Sequence, residues 1–310
     1  MSELIVVAGP TGAGKTALGA AVAERLGGEV VSADAFAVYR GMDIGTAKPP
    51  VELRARVPHH LLDVADPRET YSAGTFVREA DAAIAAIHAR RRVAVVVGGT
   101  HFYVRALLRG LFTEPAKDPV RRAALEAEWE RDAEKVRARL ERVDPEAAAR
   151  IPPRDRQRTL RALEVWLATG QPMSELWCQE RRAGFRYRYV MLGLAPPRAD
   201  LHARIALRVD AMLASGLLDE VRTLLEQGVP RSAQAFKAIG YRECAQVLDR
   251  TWTLSQAREE MIVATRRLAK RQWTWLRSEP VVEWLAGFGE TVVDEVMAGL
   301  EARRGAIAGS

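Results

Sequence analysis

Cysteine is nearly absent from this chain of 310 residues. Cys178 and Cys244 lie far apart and outside any C-x-x-C or Cys/His cluster, which excludes a disulfide framework and a zinc module and fits a reducing cytoplasm. Long apolar runs are missing as well. No stretch approaches the ~18 uninterrupted hydrophobic residues of a membrane span, and Met1-Ser2-Glu3 leads into Leu4–Ala8 without a basic segment or cleavage site. Neither membrane insertion nor export is expected. Lysine occurs only at Lys15, Lys48, Lys117, Lys135, Lys237 and Lys270, so nearly all the positive charge is arginine, the side chain suited to bidentate phosphate contacts. Biased genome composition produces the same pattern, and both explanations stand. The low hydrophobicity of disordered chains and any internal repeat are also lacking.

What is present is ample core material, 48% hydrophobic and 28% charged residues. The length suits one large α/β unit or a core domain carrying a smaller insertion. With 46 Lys plus Arg against 40 Asp plus Glu, the net charge of +6 favours a polyanionic partner.

Leu4–Ala8 (LIVVA) has no polar alternation, as expected of a strand buried on both faces of a parallel sheet. A glycine loop and a helix over 15–26 follow. A second strand over 29–32, an amphipathic helix over 76–90 and a buried strand over 93–97 complete a β-α-β-α-β rhythm, which predicts a doubly wound sheet. From about Pro115 the sequence turns Arg/Glu/Ala-rich and helical, and β character resumes only at Tyr187–Leu194. The expected domains are therefore a core over 1–114 and 186–310 and a helical insertion over 115–185. Helices over 198–215, 217–227 and 255–277, a last strand over 281–284 and a helix over 290–303 complete the core, with a frayed tail from Gly305.

Gly9-Pro10-Thr11-Gly12-Ala13-Gly14-Lys15-Thr16 satisfies G-x-x-x-x-G-K-[ST] between a buried strand and a helix, the context a P-loop needs. Loop amides and the helix N-terminus face an anion, Lys15 adds a point charge, and the Thr16 hydroxyl can ligate a phosphate-bound Mg2+. Gly9, Thr11, Gly12, Ala13, Gly14, Lys15 and Thr16 are thus candidates for binding a diphosphate-type group. The strand over 93–97 ends in Gly98-Gly99-Thr100 instead of the acid that commonly holds magnesium in P-loop ATPases.

Ligands in open α/β sheets sit beyond the carboxyl ends of the strands, where Asp34 and Thr100 are found. Asp34 can accept a proton from an attacking group and Thr100 can hydrogen-bond a reacting oxygen, or each can simply cap a turn or helix. The aperiodic stretch 38–49, with its glycines, Arg40 and Lys48, suits a loop over an anionic ligand. His59 and His60 are adjacent on an extended segment, so their side chains diverge and make a poor chelate.

Arg154, Arg158 and Arg161 fall within about 60° on a helix whose other side carries Leu160, Leu163 and Leu167. The stretch 261–278 holds Arg266, Arg267, Lys270, Arg271 and Arg277 with no acid. A solvated helix normally mixes signs, whereas a phosphodiester backbone calls for one sign. Trp273 and Trp275 beside it suit the core better than base stacking.

At this point the chain resembles the bacterial tRNA dimethylallyltransferases, also called tRNA isopentenyltransferases. The matching blocks are GPTGAGKT (9–16), SAD with VYRGMDIGTAKP (32–49), PHHLLD (58–63), VGGTHFYVRALL (97–108), DRQRTLRALEV (155–165), RVDAMLASGL (208–217), KAIGYRE (237–243) and AKRQWTWLR (269–277). They occur in family order across nearly the whole chain. The resemblance implies an α/β fold, a P-loop NTPase-like parallel-sheet core with an inserted all-helical domain. It implies an enzyme moving the dimethylallyl group of dimethylallyl diphosphate to N6 of the adenine 3′ of the anticodon, in tRNAs reading codons that begin with U; a cytoplasmic monomer is expected. Asp34 would orient and deprotonate the amine, Thr100 support the departing oxygen, and Arg208 neutralise the diphosphate, with Mg2+ as cofactor. The tRNA anticodon stem-loop would meet Asp34, Ala35, Phe36 and Ala37 at the target base and Gln157, Arg158, Arg161, Lys237, Arg242, Lys270, Arg271 and Arg277 along its phosphates. Ala35-Phe36-Ala37 stand where relatives often carry Ser-Met-Gln, which leaves backbone groups to replace the polar side chains. A P-loop kinase, an adenylate isopentenyltransferase and a noncatalytic RNA-binding switch are the competing classes; the arginine faces count against the first two.

Overall fold

A computed structural model describes residues 3–111, 118–182 and 184–308. In chain order its elements are β1 (Leu4–Ala8), α1 (Lys15–Arg25), β2 (Glu29–Ser32), α2 (Val51–Arg56), β3 (His59–His60), α3 (Ala73–Ala89), β4 (Ala94–Val97), α4 (His101–Arg109), α5 (Pro119–Arg131), α6 (Ala133–Val143), α7 (Pro145–Arg150), α8 (Arg156–Thr169), α9 (Met173–Arg182), β5 (Tyr189–Leu194), α10 (Arg198–Ala214), α11 (Leu217–Glu226), α12 (Tyr241–Leu248), α13 (Leu254–Leu276), β6 (Glu283–Leu285) and α14 (Val293–Ala308). The chain divides into two units, Met1–Leu107 with Tyr187–Ser310, and Leu108–Arg186. The boundary expected between residues 114 and 115 lies outside the described residues.

In the first unit six strands form one parallel sheet in the order β3-β2-β4-β1-β5-β6. Every residue of β1, β2 and β4 is buried, as the unbroken apolar sequence of β1 and β4 requires once helices cover both faces. Leu18 and Val22 of α1 and Val296 and Leu300 of α14 pack onto Val7, Val95 and Val97 in one core. Glu29 is the charged exception, in β2, where the guanidinium groups of Arg90 and Arg92 neutralise it and His60 shares a hydrogen bond with it. From β1 the chain builds β2, β3 and β4 on one side and β5 and β6 on the other. That reversal opens a crevice at the carboxyl end of β1, where the P-loop begins.

The last helix starts later than its sequence suggests and runs on to Ala308, past the expected end at Arg303 and over 305–308 of the tail expected to fray. Its start is delayed because the Gly289 N–H donates to the Ala13 carbonyl at 2.8 Å, which holds the preceding segment against the P-loop.

The second unit is helical, α5 to α9, around Leu125, Val136, Leu140, Leu160 and Leu163. Helices α5, α6, α7 and α8 each begin on an aspartate, Asp118, Asp132, Asp144 and Asp155, whose carboxylate accepts from first-turn amides. Such caps satisfy amides that have no intrahelical partner. Asp144, 1% exposed, also accepts from the Ser174 N–H at the start of α9. Because Asp155 caps α8, Arg154 precedes the helix and does not share the face of Arg158 and Arg161 as its spacing suggested.

Candidate active site

Helix α1 opens on Gly14 in the left-handed region, φ 88°, a conformation that favours glycine. No side chain caps this helix, so its first amides remain for an anion. Lys15 and Thr16 line a cavity of about 560 Å³ together with Asp34, Arg208 and Arg271. The Lys15 ammonium donates to the Pro10 carbonyl at 2.8 Å. Burial lowers its pKa to about 8, Arg208 adds to the effect, and Asp34 opposes it. Arg208 is likewise lowered by burial, with Asp34 opposing and Arg204 reinforcing. Desolvated Lys15 and Arg208 thus share one cavity with the Asp34 carboxylate, with Lys48, Arg204, Lys237 and Arg271 also in its lining, an excess of positive charge suited to an anion.

Asp34 is both turn cap and cavity wall. Its Oδ1 accepts from the Phe36 N–H at 2.9 Å and the Ala37 N–H at 3.1 Å, which fixes the carboxylate as the chain leaves β2. The Thr100 Oγ1 accepts from the Ala35 N–H at 3.0 Å, and its own proton remains to be donated. These bonds tie the ends of β2 and β4 together. Gly98 permits the approach, since a Cβ there would collide with the Ala33 carbonyl. The Thr100 hydroxyl, on the Ala35 amide, and the carboxylate of the preceding Asp34 thereby belong to one hydrogen-bonded junction.

Among the phosphate candidates, Thr11, Gly12 and Gly14 also line the cavity, whereas Gly9 and Ala13 form the loop behind it. Of the target-base candidates Asp34, Phe36 and Ala37 line it and Ala35 does not; Thr100, expected at the departing oxygen, stands behind the lining on the Ala35 amide. Lys237, ending a 3-10 turn over Gln234–Lys237, borders the same cavity and a smaller one of about 390 Å³, which Arg242 also lines. Lys270 is exposed on α13, and Arg277 follows that helix beside Trp273 and Trp284. Gln157, Arg158 and Arg161 stand on α8 of the second unit. There the expected one-sign face is mixed, with Arg158 3.4 Å from Asp155 and Arg161 3.2 Å from Glu164. Arg266 turns inward to the His202 carbonyl, because α10 packs along that side of α13. Trp273 and Trp275 are half-buried, Trp275 stacked on His101 with ring centroids 4.5 Å apart. His59 and His60 are separated as expected, His60 on Glu29 and His59 on the Val57 carbonyl.

Three side chains of this site escaped the sequence pattern. Gln272 accepts from the Thr11 N–H at 2.7 Å and donates to the Gly99 carbonyl at 2.9 Å, joining the P-loop to the end of β4. Glu220 accepts from the amides of Asp43, Ile44 and Gly45 and so shapes the loop whose residues 45–50 wall the cavity. Arg204 lines the cavity one turn before Arg208. Only Arg204 carried a signal, its spacing of four from Arg208 on a helix.

The residues present fit a phosphate-bound Mg2+. The Thr16 hydroxyl has no protein partner among the described residues, and Asp34 borders the same cavity. No cluster of three metal-ligating side chains occurs among those residues, which suits an ion held largely by phosphate and water.

Fold and site together define a P-loop α/β protein with a cavity beside the loop that carries its own carboxylate. The chain matches the IPP transferase family over residues 37–279. It is 52% identical to a tRNA dimethylallyltransferase of Anaeromyxobacter dehalogenans (strain 2CP-C), covering 92% of this chain and 95% of that one. It is 46% identical to a tRNA dimethylallyltransferase of Geobacter sulfurreducens over 92% of each. The crystal structure of a full-length tRNA isopentenylpyrophosphate transferase from Bacillus halodurans superimposes with a TM-score of 0.72 at 36% identity, covering all of both chains. A eukaryotic dimethylallyltransferase acting on tRNA superimposes with a TM-score of 0.78 at 29% identity, covering 92% of this chain and 74% of that one. The chain belongs to the IPP transferase family, that of the tRNA dimethylallyltransferases, and is a prenyltransferase of tRNA modification. No helix among the described residues is long and apolar enough to cross a membrane.

Proposed function

We propose that this enzyme transfers the dimethylallyl group from dimethylallyl diphosphate to N6 of the adenine immediately 3′ of the anticodon, in tRNAs that read codons beginning with U. The observation that carries this reading is the placement of Asp34 in one cavity with Lys15 and Arg208. An adenine N6 amine is a weak nucleophile, because its lone pair is delocalised into the ring. The barrier therefore lies mainly in breaking the allylic C–O bond, and stabilising the departing diphosphate is the largest demand on the site.

The P-loop amides, Lys15 and Arg208 receive the diphosphate. Thr16 would hold Mg2+, which supplies further neutralisation of phosphate charge when bound. As the C–O bond breaks and the N6–C bond forms, the bridging oxygen leaves with the diphosphate and accepts a hydrogen bond from Thr100. The amine proton passes to the Asp34 carboxylate, whose Oδ1 is held by two amides. The base must leave its stack to reach this cavity. The tRNA phosphates are neutralised by Lys237, Arg242, Lys270, Arg271 and Arg277 of the first unit and by Arg158 and Arg161, with Gln157, of the second. The enzyme works as a cytoplasmic monomer.

The test is incubation with Mg2+, labelled dimethylallyl diphosphate and unmodified tRNA, with labelled ATP in parallel. Label should enter the tRNA and be lost when that adenine is replaced. ATP turnover without prenylated tRNA would return the P-loop to a kinase role and refute the proposal.

A further inference from the structure

Arg204 has no part in the mechanism above, yet it lies beside the phosphate cradle. The turn of α10 that carries it is packed on the P-loop, since a Cβ at Gly12 would lie 3.3 Å from Leu201 and 3.4 Å from Ile205. Arg204 and Arg208 are one turn apart and line the same cavity.

Arg204 is ion-paired to Glu290, and its guanidinium lies 4.7 Å from the centroid of the Phe288 ring. Both partners belong to the segment between β6 and α14, which Gly289 bonds to Ala13 of the P-loop. The Glu290 carboxylate occupies the space a Cβ on Gly14 would need. A negative charge is thus fixed against the outer wall of a site that receives an anion, an unfavourable placement unless a cation absorbs it.

We infer that Arg204 is a further diphosphate-contacting residue, with Glu290 as its resident counter-ion, and that a bound diphosphate takes the guanidinium from Glu290. The exchange needs only rotation of the outer Arg204 side chain, which is 39% exposed. Once the prenyl group has left, Glu290 competes for the guanidinium and loosens the hold on product diphosphate. The inference rests on the proposed reading that the cavity takes a diphosphate.

The test is calorimetric binding of inorganic diphosphate with Mg2+ to the full chain, using Arg204→Gln, Arg204→Lys and Glu290→Gln, with melting temperatures of the ligand-free proteins as controls. Arg204→Gln should weaken binding about tenfold or more, and Arg204→Lys less, because a lysine keeps the charge but loses the two-pronged contact. Glu290→Gln should move the other way and tighten binding about two- to fivefold. The gain should shrink when Arg204→Gln is also present. A merely structural ion pair would lower both melting temperatures and shift both affinities alike or not at all, and that result overturns the inference. Should Arg204→Gln not fold, the direction of the Glu290→Gln effect decides alone. Wild-type protein that binds no diphosphate would bring down the functional reading itself, whereas wild-type binding untouched by these substitutions would leave that reading standing and remove only Arg204.

Discussion

Raising the pH from 7 to 9 should weaken prenyl diphosphate binding about tenfold, with Lys15 as the cause. Burial and Arg208 bring the Lys15 pKa down to about 8 from 10.5. The protonated fraction therefore falls from about nine-tenths at pH 7 to about one-tenth at pH 9. A bound diphosphate keeps the ammonium charged, so binding at pH 9 requires proton uptake that binding at pH 7 does not. The effect on folding has the opposite sign. With its folded pKa below the unfolded value, Lys15 lets the protein without ligand gain stability as pH rises from about 8 to 10.5. Titration calorimetry in buffers of different ionisation enthalpy reads both the affinity and the protons taken up. The ligand does not confound the window, since its terminal phosphate has its last ionisation near pH ~6. Lys15→Arg stays charged throughout and should flatten the profile, whatever it does to absolute affinity. An unchanged wild-type affinity between pH 7 and 9 would refute the desolvated-lysine account of this cavity.

Asp34→Ala should cost roughly a hundredfold or more in single-turnover rate while filter-binding affinity for tRNA changes little; equal losses in both would make Asp34 a binding residue only. Arg158→Ala and Lys270→Ala should each weaken tRNA binding and reduce the slope of log affinity against log salt by about 0.7–0.9, and an unchanged slope would place that residue away from the phosphates. Asp144→Ala loses a helix cap and strands the buried Ser174 amide, so denaturant titration should show about 2–4 kcal/mol of destabilisation. Burial alone would raise the pKa of Glu29, but hydrogen bonds from Arg90, His60 and Arg92 hold it at about 2, below the ordinary 4.5. Its stabilisation, of order 3 kcal/mol, is complete above pH 4.5 and lost as pH falls toward 2; Glu29→Gln should remove that acid sensitivity from the melting curve.

Much of this site was legible without coordinates because its parts are local. A buried apolar strand, a glycine-spaced loop and a helix start specify the phosphate cradle within thirteen residues, Leu4 to Thr16. Asp34 and Thr100 follow from the rule that strands of a parallel sheet end at one mouth. Polar contacts between remote segments were not legible. Gln272 reaches Thr11 across 261 residues, and nothing in an uncharged side chain on an amphipathic helix marks its partner. Glu220 likewise resembles any surface acid until its carboxylate is seen on three consecutive amides. Periodicity also overstated the basic faces. Arg154 drops off α8 because Asp155 caps it, and Arg266 turns inward to α10. Apolar periodicity and glycine spacing, being properties of a few adjacent residues, were enough to set the fold class and the form of the P-loop. Which cations and amides meet in the cavity depends on the packed fold, since a polar side chain finds its partner only after distant helices have come together.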